Sequence, residues 1–169
     1  RPPRYKEAEV LYRAALDMRQ RLGAAESAAS AENLHALAAL MRHQNRLEDS
    51  VKQYEQALAL SRRVLPPLDG QLIDCMNDYA ACLSDLGRFD EAADLLKESV
   101  GLTTRALGEV TASCTVANLA TVTRAQGDRV GAWRLIHRAL AQVCHGVNAN
   151  LVGAESDRWR SMTRAFEAG

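Results

Sequence analysis

The sequence predicts an all-α solenoid of stacked antiparallel helix pairs. Three observations predict it: a self-similarity with a period near 42 residues, apolar residues at helical spacing, and a turn former after each of three matching stretches. Anchored on Ala92 in "DEAADLL", steps of 42 lead back to Ser50 in "EDSVKQY" and to Ala8 in "KEAEVLY". A step of 40 leads forward to Ala132 in "VGAWRLI". The same steps align Tyr12, Tyr54, Leu96 and Ile136 in one column, and Ala15, Ala57, Ser99 and Ala139 in another. A second block superposes "HALAALMRHQN" (35–45), "NDYAACLSDLG" (77–87) and "ANLATVTRAQG" (117–127). It keeps Ala38, Ala80 and Ala120 behind the bulky Leu37, Tyr79 and Leu119, and ends on Asn45, Gly87 or Gly127.

Each element follows from one of these blocks. Residues 4–22 carry the Ala8 block and form a second-type helix that lacks its first. Residues 28–43 carry the Ala38 block, and 47–64 the Ser50 block, closed by the Pro66-Pro67 connector. Residues 71–86 follow Gly70, and 89–107 follow Gly87 with the stripe Phe89, Ala92, Ala93, Leu96, Val100, Thr103 and Leu107. Residues 112–126 and 129–145 repeat the two types around Gly127. Residues 155–168 fit the first type once more through Trp159, Met162, Thr163 and Phe166, after a longer linker.

The expected organisation is one array over 1–169. It comprises a lone second helix (4–30), repeats at 31–73, 74–112 and 113–150, and at 151–169 the first helix of a further unit or a cap. Arg1 in place of Met predicts a piece of a longer protein. The small columns have a packing reason. Ala38, Ala80 and Ala120 let the first helix approach its partner, Ala92 and Ala132 do so from the other side, and bulky neighbours fill the grooves. One such pair cannot bury its apolar face alone, so units stack.

Composition narrows function by exclusion. Lys plus Arg and Asp plus Glu are 21 each, so the formal charge is zero, which argues against non-specific nucleic-acid binding or electrostatic membrane anchoring. No apolar run approaches the roughly 18–20 residues of a membrane span. Cys75, Cys82, Cys114 and Cys144 are scattered inside helical stretches, and are expected as reduced, core-packed thiols. His35 and His43 stand too far apart on one helix for joint metal ligation. Glu7, Asp90 and Glu91 read as favourable acids near helix starts rather than catalytic groups, and Trp133 and Trp159 as core or seam. No nucleophile triad, phosphate loop or acid pair appears, so no enzyme activity, metal or cofactor is expected.

"LGRFDEAADLLKESV" and "RYKEAEVLYRAAL" resemble the tetratricopeptide repeat. The long period, and Leu22-Gly23 and Leu107-Gly108 after second helices, are similar to the kinesin light chain variety. That resemblance implies a right-handed superhelix whose first helices line a concave groove for extended peptides. The Asn-Asn-Leu-Ala pattern of that variety survives in part, as Asn77-Asp78-Tyr79-Ala80 and Ala117-Asn118-Leu119-Ala120, against His35-Ala36-Leu37-Ala38. A carboxylate clamp of Lys and Asn is not kept; His35, Ala39 and Asp78 stand in its places.

Projecting the repeat pattern assigns Glu32, His35, Arg42, Asp74, Asn77, Asp78, Ser84, Asn118, Thr121 and Arg124 to the groove, with Ala39 and Ala81 leaving room for ligand side chains. Asparagine amides pair with both polar groups of a peptide backbone, and arginines fork onto carboxylates. Tyr5, Ala8, Leu11, Tyr12 and Ala15 are assigned to an end face through which the isolated piece could self-associate. The expected function is a non-enzymatic scaffold that captures a short linear segment of a protein partner, with neither nucleic acid nor membrane as partner. The alternative is a structural spacer or oligomerisation module using its end faces beside a domain elsewhere. The expected setting is cytoplasmic, with any tie to microtubules or a cilium made through partners.

Overall fold

The computed structural model describes residues 5–107 and 113–147, and within them every regular element is a helix. These are α1 (Tyr5–Arg21), α2 (Ala28–His43), α3 (Leu47–Val64), α4 (Gly70–Asp85), α5 (Phe89–Leu107), α6 (Ser113–Ala125) and α7 (Arg129–Val147). The eighth stretch expected at 155–168 lies outside the described residues.

Two local devices set the helix ends. The side chains of Ser27, Asp69 and Asp128 each accept a hydrogen bond from a first-turn N–H of α2, α4 and α7, from Ser30, Gln71 and Gly131 at 3.3, 2.8 and 2.7 Å. The first-type helices end on one repeated turn. Asn45, Gly87 and Gly127 have φ of 60°, 75° and 94°. The following N–H of Arg46, Arg88 and Asp128 reaches back to the carbonyl of Met41, Leu83 and Thr123. This left-handed closure favours glycine, and only Asn45 bears a side chain there. Asn45→Gly is therefore expected to raise stability by about 0.5–1 kcal/mol, read as a higher thermal midpoint with unchanged helix content.

Each helix packs on its neighbours in the chain, and the first helices also touch one another: α2 meets α4, and α4 meets α6. The second helices stand further apart: α3 reaches α5 through the long side chains of Arg62 and Glu98, ion-paired at 2.8 Å, without the backbone approach that α2, α4 and α6 make. The array therefore curves with α2, α4 and α6 on its inner, concave side.

The core runs between these layers through Leu37, Met41, Tyr54, Met76, Leu83 and Leu96, all almost without exposure. At the closest approach within the first complete pair, the hydroxyl of the fully buried Ser50 donates to the Ala38 carbonyl at 2.7 Å. Ala80 with Ala92, and Ala120 with Ala132, hold the same two columns and are equally buried. Tyr54 stacks on Tyr79 of the next unit, with ring centroids 5.7 Å apart, and lies 5.8 Å from the His35 ring. Burial pushes its phenol pKa well up, so it stays protonated.

The expected thiol placement needs one correction. Cys75 and Cys82 are buried free thiols, and burial pushes the Cys75 pKa up to about 12, but Cys114 is exposed. It sits in the first turn of α6, where the apolar stripe that would cover it has only begun. The side chain of Cys144 lies outside the described residues. Trp133 is half-buried and stacks on His137 with centroids 5.1 Å apart. The Tyr12, Tyr54, Leu96, Ile136 column is also uneven. Tyr54 and Leu96 are roofed by the next first helix, whereas Ile136 is exposed; the stretch expected to follow α7 there is outside the described residues.

Candidate peptide groove

All ten groove residues lie on α2, α4 and α6, but they divide into side chains already bonded across the array and side chains that are not. Two rungs join α2 to α4. His35 Nε2 lies 2.8 Å from Asp78 Oδ2, and Arg42 donates through Nε to Asp85 Oδ2 at 2.6 Å. Burial works against the Arg42 charge, and the hydrogen bond and charge of Asp85 more than restore it, leaving its pKa raised. Asn77 is half-buried and ties three helices. Its amide nitrogen donates to Thr115 Oγ1 at 3.4 Å, and its oxygen accepts from the Ser99 hydroxyl at 3.3 Å.

Ser84 and Thr121 donate their hydroxyl protons to carbonyls one turn back on their own helices, those of Ala80 and Ala117, at 2.9 and 3.0 Å. Their lone pairs remain as acceptors. Asn118, Arg124, Glu32 and Asp74 are exposed and make no side-chain bond to another described residue. Glu32 and Asp74 sit toward the starts of the first helices and Arg124 at the end of one.

Two concavities join along α6. One, of about 220 Å³, lies between α4 and α6, bounded by Arg42, Asn77, Ala81, Ser84, Asp85, Asn118 and Thr121, with Leu96 and Val122 as its apolar floor. The other, of about 470 Å³ and more open, continues from Thr121 to Arg124, Ala125, Gly127 and Arg129. Residues 77, 84, 118, 121 and 124 are thus brought together, with Arg42 at the edge. Glu32, His35, Asp74 and Asp78 line neither concavity.

Sequence reasoning missed Asp85, Thr115, Ser99 and Arg129. A signal for the first existed in the spacing: His35 to Asp78 and Arg42 to Asp85 are both 43 residues apart, one more than the period. Among the described residues no group of three or more His, Cys, Asp or Glu could hold a metal ion, and no helix is long and apolar enough to cross a membrane.

The tetratricopeptide repeat profile matches residues 4–63 and 34–105, together more than half of the sequence. The chain belongs to the tetratricopeptide repeat family. No curated protein matches this sequence significantly. Among solved structures, the array superposes on BtubC (BKLC) from P. vanneervenii with a TM-score of 0.78 and 21% identity, covering 86% of this chain and 58% of that one. It superposes on a Podosopora anserina kinesin light chain of nearly identical repeats with a TM-score of 0.71 and 18% identity, covering 97% and 87%. The tetratricopeptide array therefore has the right-handed solenoid fold of kinesin light chain-like repeats, and spans somewhat over half the length of BtubC.

The end-face residues fall out differently from their assignment. Tyr5, Ala8, Tyr12 and Ala15 are half-buried on the side of α1 that packs on α2, with the Tyr5 ring stacked against His43 at 6.4 Å. Leu11 instead stands outward at 69% exposure, beside Val10, Met18 and Leu22. The helical period explains the split: residues 5, 8, 12 and 15 share one face, and residue 11 lies about 100° from residue 12.

Proposed function

We propose that the array is a non-enzymatic protein–protein interaction scaffold that captures a short linear peptide in its concave groove, over α4 and α6. The observation that supports this reading is the joined concavity itself. It has an apolar floor at Leu96 and Val122, space beside Ala81, and along its rim an amide and a guanidinium, Asn118 and Arg124, with no partner among the described residues. An extended segment laid there would pair its backbone with Asn118, set a side chain on the floor and direct a carboxylate to Arg124. His35, Arg42 and Asn77 would act by holding α2, α4 and α6 at the spacing the peptide needs. A cytoplasmic setting, with partners providing any link to microtubules, belongs to the same proposal.

The test is a peptide array probed with the chain and with Asn118→Ala/Arg124→Ala. Two lost polar contacts of about 1 kcal/mol each predict a roughly 10- to 30-fold weaker capture, with helix content and thermal midpoint preserved. Partners that bind both proteins equally would remove the groove reading and leave the spacer.

A further inference from the structure

Charge is unevenly placed on the concave side of the array. Asp74 shares the helical phase of Ala81 and Ser84, which line the concavity between α4 and α6, and Glu32 holds the same column one repeat earlier on α2. Both carboxylates are exposed and bonded to no described side chain. Asp78, 2.8 Å from His35 Nε2 and with half of its side chain exposed, adds a third carboxylate on that side. On α6 the same column holds Cys114, an exposed thiol. The column at the far ends of the first helices runs Arg42, Ser84, Arg124. Arg42 is paired with Asp85 at 2.6 Å. Arg124 and Arg129 are exposed, line the larger concavity and have no side-chain partner among the described residues. Asp128 does not line that concavity, and its carboxylate accepts from the Gly131 N–H at 2.7 Å. The groove therefore passes from anionic over α2 and α4 to cationic at the end of α6, although the formal charge of the chain is zero.

Building on the groove reading above, we propose that the array selects a bipolar peptide segment. Its lysine or arginine side chains meet Glu32 and Asp74, an apolar side chain rests on Leu96 and Val122, and an acidic side chain reaches Arg124 and Arg129. Charge complementarity defines this partner, because a segment of one sign is attracted at one end of the groove and repelled at the other. The dimensions agree. Arg124 lies ten residues beyond the place of Asp74 in the repeat, about 15 Å along the helix direction. Packed neighbouring helices stand about 10 Å apart, so the diagonal between the two charges is about 18 Å, a span of about five or six extended residues. Glu32 stands one helix further on, about 25 Å from Arg124 by the same geometry, or about seven or eight residues. Between the two ends the exposed Asn118 amide pairs with the backbone of the segment. Either chain direction satisfies the pattern, since it is set by where the charges fall.

Fluorescence anisotropy on the 169-residue chain tests the selection. The probes are labelled peptides of about twelve residues, long enough for the whole path. Their central residue is varied through leucine, phenylalanine and tryptophan. One set carries lysines at one end and glutamates at the other, in both orders; the controls carry glutamates at both ends or lysines at both ends. The bipolar set should bind roughly tenfold tighter than either control, with the preference shrinking as salt rises. Glu32→Lys/Asp74→Lys should turn the preference to the all-glutamate peptides, and Arg124→Glu/Arg129→Glu to the all-lysine ones. Helix content should stay the same in both variants, since all four side chains are exposed. Equal binding of bipolar and all-glutamate peptides, indifferent to Glu32→Lys/Asp74→Lys, would overturn bipolar selection. If such binding still weakens in Asn118→Ala/Arg124→Ala, the groove reading stands without it. Binding that this last variant leaves unchanged, or no binding of any probe, would overturn both.

Discussion

Tyr54→Ala is expected to destabilise the array by about 3–5 kcal/mol, as truncation of a large buried aromatic does. The ring has no exposed surface, stacks on Tyr79 of the next unit and borders His35, so it joins α2, α3 and α4 at once. Nearest-neighbour coupling makes the consequence more than a shift of midpoint. With the seam between the first two complete pairs emptied, α1–α3 should unfold in urea ahead of α4–α7, and one transition should become two. Tyr12→Ala is the control. Tyr12 holds the same column but is half-buried on α1, which packs on α2 and on no other described helix, and its loss should cost less than half as much. A single sharp transition with equal losses for both variants would sink this account of the seam.

Ala80→Leu is the second large effect, and it works by excess rather than by a void. Ala80 is fully buried in the column where Ala38 receives the Ser50 hydroxyl at 2.7 Å, a distance that leaves no room for three added carbons. Overpacking of this kind costs about 1–3 kcal/mol. It should also push α4 away from α5 and disturb the neighbouring contact of α4 with α6. Urea unfolding measures the stability loss, and peptide capture should fall with it although Ala80 does not line either concavity. The pair Ala80→Gly/Ala92→Leu, which moves bulk from one small column to the other, should recover only part of the loss, since both columns are filled from opposite sides.

Most of the fold was legible because a repeat states its geometry several times. The helix bounds agree with the periodicity to within a residue or two. The turn column showed itself as Asn45, Gly87 and Gly127 before any backbone angle was known. The small columns read correctly for the same reason, since three units constrain one contact. The groove was legible only as a face. Helical phase says which side chains look inward; it does not say which of them a neighbouring unit has already bonded. Asn77 looks like a peptide ligand in one strand of text, and becomes a brace only when Ser99 and Thr115, 22 and 38 residues away, are folded beside it. The end face divides for a different reason: a lone second helix has two apolar stripes, and the pattern alone does not say that α2 covers the one with Tyr5, Ala8, Tyr12 and Ala15 and leaves Leu11 outward.

The contact pattern has a mechanical consequence. No described helix touches another more than two places along the chain, so no strap joins distant parts of the described array. Tension applied at the two ends would pass through every seam in series, as through the coils of a spring. Its softest motion is a change of pitch, with the seams opening or closing on the inner side. A peptide lying across α4 and α6 would bridge two successive coils, and occupancy of the groove would then be felt along the array as stiffness.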